Sequence, residues 1–172
     1  MNPMEWKKSA EPSSISPEQF QKILGCLTAL SEKLRVKAVL LADRSGRLIV
    51  QKCEETFEAD PSVISSLVAG SFGASNELAR LLGEKGRFNM VLHEGLGRSV
   101  FICSVTGEYF LVVIFETQVA LGMVRMLTRR AVAELEPVLA QKDAGRDIKE
   151  IFDDRFESLL GEELDRTMKD RF

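Results

Sequence analysis

A chain of 172 residues with a net charge of -3 at neutral pH lacks the broad basic surface that nucleic-acid binding requires. Hydrophobic residues at 45% and charged residues at 28% describe an ordinary globular protein with enough apolar material for one domain and extensions. No apolar run reaches the ~20 residues that cross a bilayer, and MNPMEWKKSAEPSS at the start has no apolar segment of the signal-peptide kind, so the expected compartment is the cytoplasm.

Residues 1–15 are polar and read as a flexible arm. Ser16-Pro17-Glu18-Gln19 starts a helix, with Ser16 as N-cap, Pro17 at the first helical position and Gln19 as capping-box partner. Phe20, Ile23, Leu24, Leu27, Leu30 and Leu34 follow at helical spacing. Val36–Cys53 then reads as a hairpin around an Asp43-Arg44-Ser45-Gly46 turn, and its more polar return strand belongs at a sheet edge. The Asp-x-x-Gly spacing is turn chemistry rather than a nucleotide motif, because nothing phosphate-binding precedes it.

Asp60-Pro61 opens a second helix that runs to about Leu82, with Gly83 as its stop. Ile64, Leu67, Val68, Ser71, Ser75, Leu78, Ala79 and Leu82 form the stripe expected to lie on the sheet. The other side is light: Ser66, Ala69, Gly70, Gly73, Ala74 and Asn76 have almost no bulk, with Val63 and Phe72 flanking them. An interior glycine costs a helix roughly 1 kcal/mol relative to alanine. Two within a turn point to close backbone packing, either inside the monomer or against a second helix or partner protein.

Arg87–His93 is a third strand with Phe88, Met90 and Leu92 on one face, and Asn89 and His93 make it a second edge. Arg98–Phe115, RSVFICSVTGEYFLVVIF, is the central hairpin, turning at Thr106-Gly107-Glu108. Its second strand is apolar on both faces and therefore needs cover on both sides. A long helix from Gln118 to about Gln141 follows, with Val119, Leu121, Val124, Leu127, Ala131, Leu135 and Leu139 as its stripe. Pro137 is expected to kink or end it. Arg125, Arg129 and Arg130 on its polar side read as a solvated face, or as a contact for a phosphate or an acidic partner.

Residues 142–172 form a separate extension. Ile148, Phe152, Phe156, Leu160, Leu164, Met168 and Phe172 recur every four residues between dense charges, the pattern of an amphipathic docking helix, with Gly145 as hinge. Its target is this domain, a second copy, or a partner's groove. Acidic residues predominate on its polar side, which argues against a membrane surface.

The motifs of catalysis are missing from the sequence. His93 is the single histidine, there is no Cys-x-x-Cys pair, and no glycine-rich loop ends in Lys-Ser/Thr. Cys26, Cys53 and Cys103 are odd in number and far apart, which fits buried free thiols in a reducing compartment. Cys103 with His93 is a nucleophile–base pair on paper, but core packing explains both. No enzymatic activity and no cofactor are expected, so function falls to surfaces.

The element order resembles that of the roadblock family, named after a dynein light chain. VKAVLLADRSGRLIV is similar to the family's first hairpin, and SLVAGSFGASNELARLLGE to its small-residue second helix. FNMVLHEG, SVFICSVTGEYFLVVIFE and the following Leu121-Gly122-Met123-Val124-Arg125 resemble more closely the bacterial MglB-like branch. The resemblance covers about Pro17 to Leu139, and more loosely the extension.

It implies an α/β fold of order α-β-β-α-β-β-β-α, a five-stranded antiparallel sheet between helices, over residues 16–141. It implies a homodimer in which the third strands (Phe88, Met90, Leu92) join two sheets and the second helices lie side by side. It also implies a partner, a small Ras-like GTPase of the MglA type that controls cell polarity or motility. Members of this branch stimulate GTP hydrolysis by reshaping the partner's switch regions, without supplying an arginine finger. Carried onto this chain, the GTPase-binding surface is Ser66, Ala69, Gly70, Gly73, Ala74, Asn76 and Glu77. The extension would reach the GTPase near its nucleotide and promote exchange. The alternative is a roadblock scaffold that binds or localises a GTPase or another protein and leaves hydrolysis unchanged. A small-ligand sensor would need convergent polar groups that the sequence does not offer.

Overall fold

The computed structural model describes residues 15–141. The expected arm, apart from Ile15, and the amphipathic extension, with its stripe of Ile148, Phe152, Phe156, Leu160, Leu164 and Met168, lie outside the described residues. One compact unit spans Pro17–Ala140.

Helix α1 (Pro17–Leu34) leads through Arg35, whose φ of 52° turns the chain, into strands β1 (Ala38–Asp43) and β2 (Leu48–Cys53). Helix α2 (Pro61–Leu81), strands β3 (Met90–Glu94), β4 (Arg98–Val105) and β5 (Tyr109–Glu116), and helix α3 (Leu121–Ala140) complete the unit. The five strands form one antiparallel sheet in the order β2-β1-β5-β4-β3, so β2 and β3 are its edges. A register irregularity between Leu41 and Ala42 breaks the β1–β2 ladder.

The sheet is buried on both sides. Ala38, Leu40, Ala42, Ile102, Phe110, Val112 and Ile114 form one core layer with Val68 and Phe72 of α2. Val39, Leu41, Phe101, Leu111, Val113 and Phe115 are buried on the opposite face, which α1 and α3 cover. Burying a side chain of this size contributes roughly 1.5–3 kcal/mol, and the β4–β5 hairpin supplies much of both layers. Ring centroids of Phe72 and Phe110 lie 6.2 Å apart, tilted by 38°, locking α2 onto the hairpin.

Four expectations need correction. Helix α2 is rotated about its axis: Ser65, Val68, Phe72 and Ala79 face the sheet, whereas Leu67, Leu78 and Leu82 are exposed. Val68 and Phe72 fill the core layer between the small Ser65 and Ala79, and the leucines are left outside. Strand β3 begins at Met90, so Phe88 precedes it. Helix α3 begins at Leu121, after a turn in which Val119 N–H donates to Glu116 O at 3.0 Å. Of the two alternatives for Pro137, ending the helix is ruled out, since α3 continues to Ala140, close to the expected limit at Gln141; so near the C-terminus, the lost donor removes only one of the final bonds.

Candidate interaction surface

Helix α2 is fixed at both ends. Asp60 Oδ1 accepts from Ser62 N–H at 2.8 Å, Pro61 occupies the first turn, and Gly83 leaves the helix at a φ of 72°. Between these ends the helix shows two adjacent outward stripes. One is apolar, with Val63 (54% exposed), Leu67 (70%), Leu78 (51%) and Leu81 (69%), and with the small residues Gly70 and Ala74 between them. The other carries Ser66, Gly73 and Glu77, all exposed. Helical geometry places Gly73 about 60° around the axis from Gly70, away from the leucines.

Among the described residues nothing packs against the two glycines. A Cβ built on Gly70 or Gly73 meets nothing within 4 Å. Close backbone approach occurs instead at Gly46, in the β1–β2 turn: a Cβ there would lie 2.7 Å from Ser66 Cα and 3.2 Å from Ala69 Cβ. Gly46 also has a φ of 87°, which favours glycine on conformational grounds. Of the seven residues expected to form one light face, Ala69 is therefore half-buried against the hairpin. Asn76 is half-buried too, and its Oδ1 is buried without a hydrogen-bond partner among the described residues. Ser66, Gly70, Gly73, Ala74 and Glu77 remain open. Glu77 accepts two bonds from Arg80 Nε, both at 3.0 Å, and that pairing holds its carboxyl below the ordinary glutamate value.

The Asp43 turn is self-contained. Its Oδ1 accepts from Ser45 N–H (3.0 Å), Ser45 Oγ–H (2.6 Å) and Arg47 N–H (3.0 Å), and Oδ2 accepts from Arg47 Nε at 2.9 Å. Burial alone raises the Asp43 pKa, but these bonds and the Arg47 charge outweigh it and hold the carboxyl below its usual value.

Strand β3 extends the surface. Val91 and His93 lie opposite Ile102 and Val100 and so belong to the α2 side, whereas Met90 and Leu92, opposite Cys103 and Phe101, belong to the α3 side. Ser71 Oγ and His93 Nε2 are 3.0 Å apart, tying α2 to this edge. Because His93 and Cys103 face opposite sides of the sheet, they do not form a nucleophile–base pair. Burial raises the pKa of Cys103 and Cys53, and together with the Glu134 charge pushes Cys26 up to about 11, so all three are poor thiolate formers. Among the described residues no cluster of three or more His, Cys, Asp or Glu could hold a metal ion, and no helix is long and apolar enough to cross a membrane. On α3, Arg130 pairs with Glu134 at 3.5 Å, while Arg125 and Arg129 are exposed.

A family model for the Roadblock/LC7 domain matches residues 27–115, from within α1 to the end of β5. The chain belongs to the Roadblock/LC7 family. Within it, the solved structure of Myxococcus xanthus MglB is 34% identical, with a TM-score of 0.66, over 70% of this chain and 96% of that one. The gliding protein MglB of Thermus thermophilus is 26% identical, with a TM-score of 0.68, over 75% and 97%. A protein of Aquifex aeolicus (strain VF5) is 26% identical over 156 residues, 86% of this chain and 96% of its own length. This Roadblock/LC7 chain is thus MglB-like in sequence and in the five-stranded antiparallel fold. The small-residue helix that carries the light face lies wholly inside the matched residues.

Proposed function

We propose that this Roadblock/LC7 protein is a homodimeric regulator of a small Ras-like GTPase of the MglA type, raising GTP hydrolysis by positioning the partner's own switch residues. One observation carries the reading: among the described residues nothing meets a Cβ at Gly70 or Gly73, although each glycine weakens the helix. Glycines retained on an exposed helix face admit another backbone, and hydrolysis in this GTPase class depends on positioning that a docked surface can impose. The two stripes divide the labour. The leucine stripe with Gly70 and Ala74 receives the second copy's helix, while Ser66, Gly73 and Glu77 contact the GTPase. Strand β3 joins the sheets of the two copies, with Met90 and Leu92 at the junction and Phe88 just before it. The setting is cell polarity or motility in the cytoplasm, in line with the gliding function in the Thermus protein's name.

Phosphate release from the host's MglA-like GTPase, loaded with GTP and titrated with this protein, tests the proposal. Acceleration supports it. Binding without acceleration favours the second reading, a scaffold that localises the GTPase, a role for which exposed α2 is equally fitted. The absence of both would remove the GTPase from the account.

A further inference from the structure

A hollow of about 180 Å³ lies between the sheet and the start of α3. Leu92, Phe115, Val119 and Leu121 give it apolar walls. Its polar groups come from three separate stretches of chain: Glu94 of β3, Ser99 of β4 and the turn at 117–120.

The α3 end of the hollow offers donors. Met123 and Val124 N–H both donate to Ala120 O, at 2.9 and 3.1 Å, but the N–H groups of Ala120, Leu121 and Gly122 make no hydrogen bond among the described residues. Ala120 has no side-chain oxygen to cap them, and the first turn contains no acidic residue. The start of this 20-residue helix therefore keeps its partial positive charge.

Ser99 is an independent sign of a ligand. It pairs with Phe115 on the face that α1 and α3 cover and is only 3% exposed. Its hydroxyl borders the hollow and has no hydrogen-bond partner among the described residues. The large majority of buried side-chain polar atoms are hydrogen-bonded, so one left open beside uncapped amides marks the place of a bound acceptor. The opposite charge is close by. Glu94 is the cross-strand neighbour of Ser99, exposed at the hollow and without an ion-pair partner among the described residues. A plain anion would meet its repulsion, whereas a ligand with a carboxylate and an ammonium side by side satisfies both ends.

We propose that this hollow binds a small apolar α-amino acid. The carboxylate sits on the Ala120 and Leu121 amides and the Ser99 hydroxyl, the ammonium on Glu94, and the side chain against Leu92, Val119 and Phe115. The site is on the α3 side of the sheet and is independent of the α2 surface assigned to the GTPase.

Calorimetric titration of the full chain with L-valine, N-acetylvaline and valinamide tests the site. Valine should bind saturably, and the other two, each lacking one charge, about tenfold more weakly or worse. Ser99→Ala should weaken valine about tenfold and leave the unfolding midpoint of the free protein unchanged or higher, because the lost hydroxyl abandons no partner. Ala120→Asp puts a carboxylate at the helix start: it should raise the midpoint by capping α3 and abolish valine binding by taking the ligand's place. Glu94→Gln should weaken valine and strengthen N-acetylvaline, since it removes an attraction from one and a repulsion from the other. Failure of valine to bind at millimolar concentration overturns the site. So does binding that survives Ser99→Ala and Ala120→Asp, or N-acetylvaline and valinamide binding as tightly as valine. Each of these outcomes leaves the GTPase reading as it stands.

Discussion

Replacing Gly73 by arginine separates stability from binding in one substitution. The position is inside α2, and a Cβ there touches nothing within 4 Å. Glycine disfavours a helix interior by about 0.8–1.0 kcal/mol relative to alanine, and arginine is close to alanine. The folded monomer should therefore gain about 0.7 kcal/mol, a rise of roughly 2–5 °C in the unfolding midpoint for a domain of this size. The same side chain fills the stripe assigned to the GTPase. Losing one central contact of hot-spot rank, about 2 kcal/mol, lowers apparent affinity roughly thirtyfold. Phosphate release titrated with wild type and Gly73→Arg measures the binding loss, thermal unfolding measures the gain, and light scattering reports the dimer. Gly73→Ala, with the same helical benefit and little bulk, should keep most of the acceleration. Gly70→Arg, about 60° nearer the leucines, should weaken the dimer as well. A folded, dimeric Gly73→Arg protein that accelerates hydrolysis like wild type would refute the assignment of this stripe.

Three further outcomes follow from the described contacts. Gly46→Ala should destabilise the protein by about 2 kcal/mol or more, read as a lower denaturant midpoint, since it combines a left-handed φ with a Cβ 2.7 Å from Ser66 Cα. The depressed pKa of Asp43 contributes stability that is complete above the ordinary aspartate value and is lost as pH falls through the folded one. Asp43→Asn should therefore lose about 1–2 kcal/mol near neutrality and show a flatter acid limb in chemical denaturation. For Cys26, raised to about 11, the sign is reversed: its contribution is complete below the unfolded thiol value and disappears as pH rises through 11. Only roughly one thiol in a thousand is ionised at pH 8, so mass spectrometry should show slow iodoacetamide labelling at Cys26 that accelerates steeply toward pH 11.

Much of the fold was legible because its signals are local. Asp60-Pro61 announces α2, the Asp43 turn closes the first hairpin, and the doubly apolar run of β5 requires a covered central strand. The rotation of α2 was not legible. Periodicity assumes one buried face, but this helix carries apolar residues at Val68 and Phe72 on one side and at Leu67 and Leu78 on the other. Which set meets the sheet depends on the closeness of approach, set by Ser65, Ala79 and the distant Gly46. The same non-local contact half-buries Ala69, so the light face was drawn too wide. Gly70 and Gly73 were visible as an anomaly, and among the described residues neither has a neighbour that would require a glycine.

The two rims of the sheet have different fates. A sheet open at both sides could add copies indefinitely, rim to rim, and grow into a filament. The β1–β2 ladder has its irregularity beside Ala42, and β2 presents exposed Gln51 and half-exposed Lys52. A polar, bent rim is a poor template for another strand. In the proposed dimer, pairing through the β3 rim leaves only the two β2 rims facing outward, which disfavours growth beyond a closed pair.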